Sequence, residues 1–362
     1  MIKSLLIPTH PTMGWVSMNR YFLEISNTEI KNISFTSPFA KELFIRPKVA
    51  GRISKIYART LHYPYKLLAQ QERDINHILD HSFVDLMRWP QKAPTVVTVH
   101  DLIPLGEFST LPPNQKRRFH RRIQYLKQAD HLICCSEYTA REVETYLQIS
   151  RDKMSVVPHG VNRGFMEKKT LSRDLQEKIP QGKKVIVIVG GTIYRKNHAI
   201  LPEVVKGLQA FKGEYCIVKV GPQFHPQLRE TIAESLGQSN IIELGFLSER
   251  DLQSVLQTST LLFFPSLIEG FGLPVLEAMA AGCPVVCSER SSLPEVGGTA
   301  VLYFDPQKPQ EASQAIEQVF RDENFRIQLV KEGVARAQTF TWEAHVAALA
   351  KIYKNVLNGQ ST

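Results

Sequence analysis

The chain has 362 residues, 43% hydrophobic and 22% charged, a globular balance that fills two cores of ordinary size and excludes disordered and fibrous classes. No apolar run approaches the roughly 20 residues needed to cross a bilayer as a helix. The net charge of +9 sits in one half: residues 1–165 hold 23 Lys and Arg against 14 Asp and Glu, while residues 166–362 hold 21 of each, and charge alone does not choose among nucleic acid, anionic membrane and anionic substrate.

SLLIP at 4–8 reads as the first strand. Pro8 interrupts the apolar patch and no small-residue cleavage pattern follows it, so a signal peptide is not expected and a cytoplasmic protein is. The loop PTMGWVSMNRY comes next and carries Gly14 and Trp15. In RPKVAGRISKIYARTLHYPYK, Lys48, Arg52, Lys55 and Arg59 recur at helical spacing on one face, with Val49, Ile53, Ile56 and Tyr57 on another. A basic amphipathic helix flanked by aromatics suits a membrane surface; an ordinary solvated helix carries the same charges, and both readings stay open. VVTVHDLIPL places His100 at the carboxyl end of a buried strand, where doubly wound folds bind ligands, with Asp101 beside it. A second basic cluster, KRRFHRR at 116–122, precedes the strands HLICCS and MSVVPHG.

The run VVPHGVNRGF at 156–165, followed by polar EKKTLSRDLQEK, divides the chain into domains 1–163 and 164–341. Beyond it the strands VIVIVGG, CIVKVG, IIELG, LLFFP and PVVCS alternate with helix-sized segments, which implies parallel sheets covered by helices. VIVIV runs into Gly190 and Gly191, then Arg195 and Lys196, then Asn197 as an expected helix cap. The glycines let the backbone pass close to a diphosphate, and the two cations neutralise charge building on a leaving nucleoside diphosphate. Adjacent Cys134 and Cys135 point to opposite faces of one strand, and Cys283 and Cys287 lack the partners of a zinc site. With Cys216 they are expected to be reduced, with no metal bound. WEAHVAALAKIYKNVLNG forms an amphipathic helix over 342–358 that stops at Gly359.

The most informative stretch is LLFFPSLIEGFGLPVLEAMAAGCPVVCS at 261–288, punctuated as strand, helix, strand by Pro274, Gly282 and Pro284. With Pro274 at the first helical position, the N–H groups of Phe271, Gly272 and Leu273 point out of a helix N-terminus and make a phosphate seat. Glu277, one turn in, leans back toward the same pocket, where its two oxygens suit the vicinal diol of a ribose. Glu269 enters from the strand end, on the side where a sugar attached to that phosphate lies.

The spacing Glu269-x7-Glu277 around GFGLP, continued by AMAAGCPVV, resembles the retaining nucleotide-sugar glycosyltransferases of family 4. The resemblance covers the second domain strongly, 96–162 moderately and 1–90 weakly. It implies an α/β fold of the GT-B class, with two facing Rossmann-like doubly wound domains, parallel sheets and an interdomain cleft, and the 342–358 helix packed back on the first domain. By the same resemblance Glu269, His100, Arg195 and Lys196 are catalytic, His100 touching the donor sugar. Gly190, Gly191, Phe271, Gly272, Leu273 and Glu277 bind the donor. The expected reaction moves a hexose, with retention, from a nucleoside-diphosphate sugar, UDP ahead of GDP, to a hydroxyl. That donor is a substrate; no cofactor is expected, and Arg195 and Lys196 replace the metal of other transferases. Where the family often has a double glycine in the first strand loop, this chain has Gly14 followed by Trp15, so the acceptor pocket is expected to differ in shape.

With Lys48, Arg52, Lys55 and Arg59 as a membrane-surface face, the acceptor reads as a lipid- or polyprenol-linked saccharide at the cytoplasmic membrane face. The alternatives are a soluble transferase making a small glycoside or polysaccharide, a GT-B phosphorylase and a basic nucleic-acid-binding protein. The last lacks an RNA-recognition aromatic motif or helix-turn-helix pattern, so no nucleic-acid partner is expected.

Overall fold

Two parallel six-stranded sheets organise the computed structural model, each in its own unit, and the residues described are 3–7, 31–34, 61, 64–65, 68 and 73–359. The positions Gly14, Trp15, Lys48, Arg52, Lys55 and Arg59 lie outside the described residues. The first unit comprises residues 1–160 and 342–362, and the second residues 161–341.

In the first unit the sheet runs in the order β2-β1-β3-β4-β5-β6. Its strands are β1 (Lys3–Ile7), β2 (Lys31–Ser34), β3 (Ile75–Ile78), β4 (Thr95–Val99), β5 (His131–Cys134) and β6 (Met154–Val156). β4, TVVTV, is buried throughout, as a parallel strand covered on both faces must be. β3 is equally buried yet carries Asn76 and His77. Most of their polar atoms are satisfied inside: Asn76 Nδ2 donates to Ala93 O at 3.2 Å and Thr95 Oγ1 at 3.1 Å, with Oδ1 lacking a partner among the described residues, and His77 bridges Tyr353 Oη (2.6 Å) and Thr98 Oγ1 (2.7 Å). Among the described residues two helices follow strands here, α1 (Pro113–Ile123) and α2 (Glu137–Leu147), the latter capped by Ser136 Oγ accepting from Thr139 N–H at 3.0 Å.

The second unit has β7 (Lys184–Val189), β8 (Tyr215–Val220), β9 (Ile241–Gly245), β10 (Leu261–Phe264), β11 (Val285–Ser288) and β12 (Leu302–Phe304), ordered β12-β11-β10-β7-β8-β9. Helices α3 (Arg173–Lys178), α4 (Leu201–Gly207), α5 (Pro226–Leu236), α6 (Glu249–Thr258), α7 (Leu273–Ala280), α8 (Leu293–Gly297), α9 (Pro309–Arg321) and α10 (Glu323–Ala337) join them. Strands β7 to β9 grow outward in one direction and β10 to β12 in the other, so the strand order reverses between β7 and β10. That reversal leaves a crevice at the carboxyl ends of these two strands, the place where open α/β sheets take ligands.

The terminal helix α11 (Trp342–Leu357) belongs to the first unit. Its Trp342, Leu349, Ile352 and Tyr353 form one core with Ile75, Leu79, Val96, Ile133 and Val157, covering a face of β3 to β5 that would otherwise be apolar and wet. All five cysteines are buried and unbridged.

Candidate functional site

The loops after β7 and β10 meet at the reversal point of the second sheet. After β7 the backbone turns at Gly190, whose φ of +119° favours glycine. It continues through Gly191 into a short 3-10 turn, Tyr194–Lys196. After β10 it reaches Glu269. The two loops are fastened by Leu267 N–H donating to Arg195 O at 2.8 Å. Arg195 Nη1 then donates to Glu269 Oε2 at 2.8 Å and Lys196 Nζ to Glu269 Oε1 at 2.6 Å, both oxygens of one carboxylate. Lys196 Nζ also lies 4.4 Å from the centre of the Phe264 ring.

Burial alone pushes the Glu269 carboxyl up, but Lys196 and Arg195 outweigh it and hold it below the ordinary range, so Glu269 is ionised. Burial lowers the Lys196 ammonium, opposed by Glu269. The sequence separates the tasks of these residues, cations for the diphosphate and carboxylate for the sugar; the fold joins them in one cluster with net charge +1. Each carboxylate oxygen retains a lone pair for a sugar hydroxyl.

Glu269 is also held by its backbone. Its N–H donates to Ser291 Oγ at 2.8 Å, and Ser292 Oγ donates to Glu269 O and Phe271 O, each at 2.9 Å. Ser291 sits at φ +55°, a strained conformation for a serine, at the turn that makes this clamp. Neither serine is singled out by the sequence pattern. A buried-loop contact twenty-two residues away leaves no periodic signal.

Helix α7 begins at Leu273, so Pro274 takes the second helical position rather than the first, and Gly272 with φ +108° is the cap. A Cβ at Gly272 would lie 2.7 Å from Leu293 Cδ2, which explains the glycine by space as well as by φ. The N–H groups of Gly272 and Leu273 have no acceptor among the described residues, as the start of a helix requires. Phe271 is buried, its ring 6.1 Å from that of Phe340 in an edge-to-face contact. Glu277 is buried on the first turns of α7. Asn197 departs from expectation: its side chain caps no helix, and Nδ2 donates to Pro306 O at 2.9 Å while the backbone takes φ +53°. The chain needs a left-handed link between two short 3-10 turns there, and asparagine tolerates it.

In the first unit, His100 follows β4 and is tied down by both ring nitrogens. Nε2 donates to Leu79 O at 2.7 Å, which leaves Nδ1 to accept from His159 Nε2 at 3.3 Å. Burial lowers its pKa, so the ring is neutral at pH 7 despite Asp80 nearby. The His100 carbonyl accepts from Cys135 Sγ (3.0 Å) and Thr139 Oγ1 (3.4 Å). A sugar contact by this ring requires one of its two bonds to be exchanged for a sugar hydroxyl. Sequence reasoning also passed over Glu142, whose buried carboxyl is pushed up to about 7 by desolvation. Among the described residues no group of three His, Cys, Asp or Glu is placed to hold a metal ion.

The family described as glycosyl transferases group 1 matches residues 172–336, and glycosyltransferase family 4 matches residues 35–165. The serotype-specific mannosyltransferase WbdA of Escherichia coli is 32% identical over 266 residues, 71% of this chain and 32% of that protein. This chain belongs to glycosyltransferase family 4. It spans about a third of the length of the first of its curated relatives. Another relative, the D-inositol 3-phosphate glycosyltransferase of Corynebacterium glutamicum (strain R), is 26% identical over 76% of this chain and 70% of its own length. The sucrose-phosphate synthase structure from Thermosynechococcus elongatus superposes with a TM-score of 0.77 at 17% identity, over 99% of this chain and all of that one, which places the fold in the GT-B class.

Proposed function

We propose that the chain is a retaining hexosyltransferase that takes its sugar from a nucleoside diphosphate without a metal. The observation that carries this reading is the ionised Glu269 held by Arg195 and Lys196 at the strand reversal, beside the unpaired N–H groups of Gly272 and Leu273. Those N–H groups and the two cations receive the diphosphate, and Glu277 takes the ribose diol. As the glycosidic bond to phosphate breaks, negative charge grows on the leaving oxygen next to the cations. Positive charge grows on the sugar, where the Glu269 carboxylate stabilises it. The acceptor hydroxyl attacks the same face and passes its proton to the departing phosphate oxygen, which accounts for retention with no covalent intermediate.

Mannose is the sugar named in the E. coli relative, and we take a mannosyl donor as the first candidate within the hexose class, with both UDP and GDP tested. For the acceptor we infer a lipid- or polyprenol-linked saccharide. Helix α1 supports this: it exposes Arg117, Arg118 and Arg121, which make no ion pair among the described residues, beside Lys116. At about 1 kcal/mol per cation near an anionic leaflet, this face and the Lys48, Arg52, Lys55 and Arg59 set together suffice for reversible peripheral binding. Among the described residues no helix is long and apolar enough to cross a membrane.

Isothermal titration against UDP, GDP, ADP, GDP-mannose and UDP-glucose tests the donor half; a folded protein that binds none of them has no such site. Flotation with anionic vesicles tests the other half. Replacing Lys48, Arg52, Lys55 and Arg59 together by Gln is expected to weaken vesicle binding by up to about 4 kcal/mol at low salt, less as salt screens it. Equal flotation of variant and wild type at low and high salt would return the acceptor to the soluble class.

A further inference from the structure

One lysine inside the second sheet has no counterpart in the proposed chemistry. Lys219, the fifth residue of β8, is fully buried on the same strand face as Tyr215 and Ile217, where an aliphatic residue would pack. Its ammonium donates to Gly190 O at 2.5 Å and to Val220 O at 3.0 Å, with the Phe224 ring centre 5.8 Å away. Gly190 N–H meanwhile donates to Val220 O at 3.0 Å. Gly221 leaves room for this bond: a Cβ there would stand 2.7 Å from Gly190 O and 3.5 Å from Lys219 Nζ. The carbonyl of the peptide after Gly190 is therefore held by the Lys219 ammonium, and the N–H of the peptide before it by Val220 O.

Its orientation has a consequence on the opposite side. The described peptides are trans, so the Gly191 N–H points away from the Gly190 carbonyl and hence away from Lys219. That N–H has no acceptor among the described residues, and a Cβ at Gly191 would meet nothing within 4 Å. Lys196 Nζ, one of the two cations on Glu269, lies 3.6 Å from the Cβ position of Gly190. The unpaired N–H and the Lys196 ammonium thus border the same loop.

We propose that Lys219 is a positioning residue for the donor diphosphate: it draws the Gly190 carbonyl inward so that the Gly191 N–H is presented to the leaving phosphate. This rests on the donor-site reading above and adds to it a residue that never touches the ligand. Lys219 also brings a buried positive charge behind the loop, where water screens it little. The protonated ammonium holds the carbonyl by a charge-assisted bond that the neutral amine would weaken, and desolvation brings its pKa down to about 8, with Glu243 opposing and Lys196 adding to the fall. The groups facing it are Lys196 and His198 from the turns after β7, and Glu243 from β9. His198 is pushed down to about 3 and stays neutral near pH 8. Glu243 accepts from Phe224 N–H at 2.6 Å and Arg229 Nε at 3.2 Å.

The test is equilibrium binding of UDP and GDP against uridine and guanosine, for wild type and Lys219→Met, between pH 7 and pH 9. The terminal phosphate is already ionised in this window, so the ligand contributes little change. Wild type should favour the diphosphate over its nucleoside, with the advantage falling around pH 8. Lys219→Met should lose about tenfold or more of that advantage at pH 7 while nucleoside affinity holds, and its pH dependence should flatten. A merely structural role would weaken both ligands alike. A variant that melts like wild type and keeps the full diphosphate preference overturns the proposal. If the variant does not fold, the wild-type titration decides alone, since a flat preference from pH 7 to pH 9 overturns it equally. Wild type binding neither nucleotide at any pH would instead remove the donor-site reading beneath it, a different result from a bound diphosphate indifferent to Lys219.

Discussion

The carboxyl ends of the two sheets solve the problem of buried polar groups in opposite ways. In the second unit the strand ends hold full charges, Glu269 against Arg195 and Lys196, with Lys219 beneath them. In the first unit imidazoles predominate at the strand ends and on α11, beside one buried carboxylate, Asp80, whose carboxyl burial pushes up but neighbouring histidines and two Ser82 hydrogen bonds hold below the ordinary range. His77, His100, His159 and His345 all have their pKa lowered by burial and are neutral at pH 7, linked to Tyr353, Thr98, Leu79 O and Pro158 O by hydrogen bonds. Charges kept in a desolvated place before a ligand arrives are useful where charge develops during reaction. Neutral rings in a packed network give shape and hydrogen bonding with little charge of their own, and they resist protonation. On the proposed reading the electrostatic work falls to the second unit, and the contrast can be broken at several points.

The largest effect is expected from Glu269→Ala. The change leaves Lys196 and Arg195 as buried like charges, so turnover should fall about a thousandfold or more and stability by about 3–5 kcal/mol. Turnover with a matched thermal melt checks this; near-normal activity in a folded variant would show that the charge cluster is only a structural ion pair.

Next come Lys196→Ala and Arg195→Ala, each expected to lower turnover by about 10²- to 10³-fold with a smaller change in donor affinity, because the charge they meet is greatest in the transition state. Wild-type activity should persist in EDTA. Loss on chelation with recovery in magnesium would give the charge to a metal and break the comparison.

Glu277→Ala should act on binding. With the carboxylate on the ribose in ground and transition states alike, nucleotide affinity should drop about 10- to 100-fold with turnover at saturation little altered. Calorimetric titration with the nucleoside diphosphate reads this directly, and an unchanged affinity would vacate the ribose assignment.

The smallest effect sharpens the other side. Burial pushes His345 down to about 4 and His77 to about 3, whereas unfolded histidines titrate near 6.5. The unfolded chain therefore binds more protons between these values. The stability these neutral rings contribute is fully present above pH 6.5 and is lost progressively as pH falls toward 4 and then 3. The melting temperature should decline on acidification from pH 7 to pH 5, and His345→Gln should remove about 2 kcal/mol of the stability lost over that range. An identical slope in the variant would mean that His345 is protonated in the folded protein.

Much of this was local in the sequence. The runs VIVIVGG and LLFFP, the GFGLP turn with Glu269 and Glu277 on either side, and the 342–358 helix are legible because apolar runs, glycine, proline and helical spacing express backbone and burial preferences within about ten residues. Family 4 membership follows from the same residues. What the sequence could not express is which of these pieces meet. β3 escaped notice because Asn76 and His77 break its apolar pattern, and they are affordable inside only because Thr95, Thr98 and Tyr353, the last 276 residues from His77, come to satisfy them. Arg195 and Lys196 stand 74 and 73 residues from Glu269 and reach it because β10 crosses back to lie beside β7. In CIVKVG, Lys219 is one polar letter in an apolar run; only the packing of β8 between β7 and β9, with the Gly190 carbonyl at its tip, gives that ammonium a partner and makes burial tolerable. Strand order is fixed by how whole helices and sheet faces cover one another, a long-range property, and the contacts that join the charges of this site inherit it.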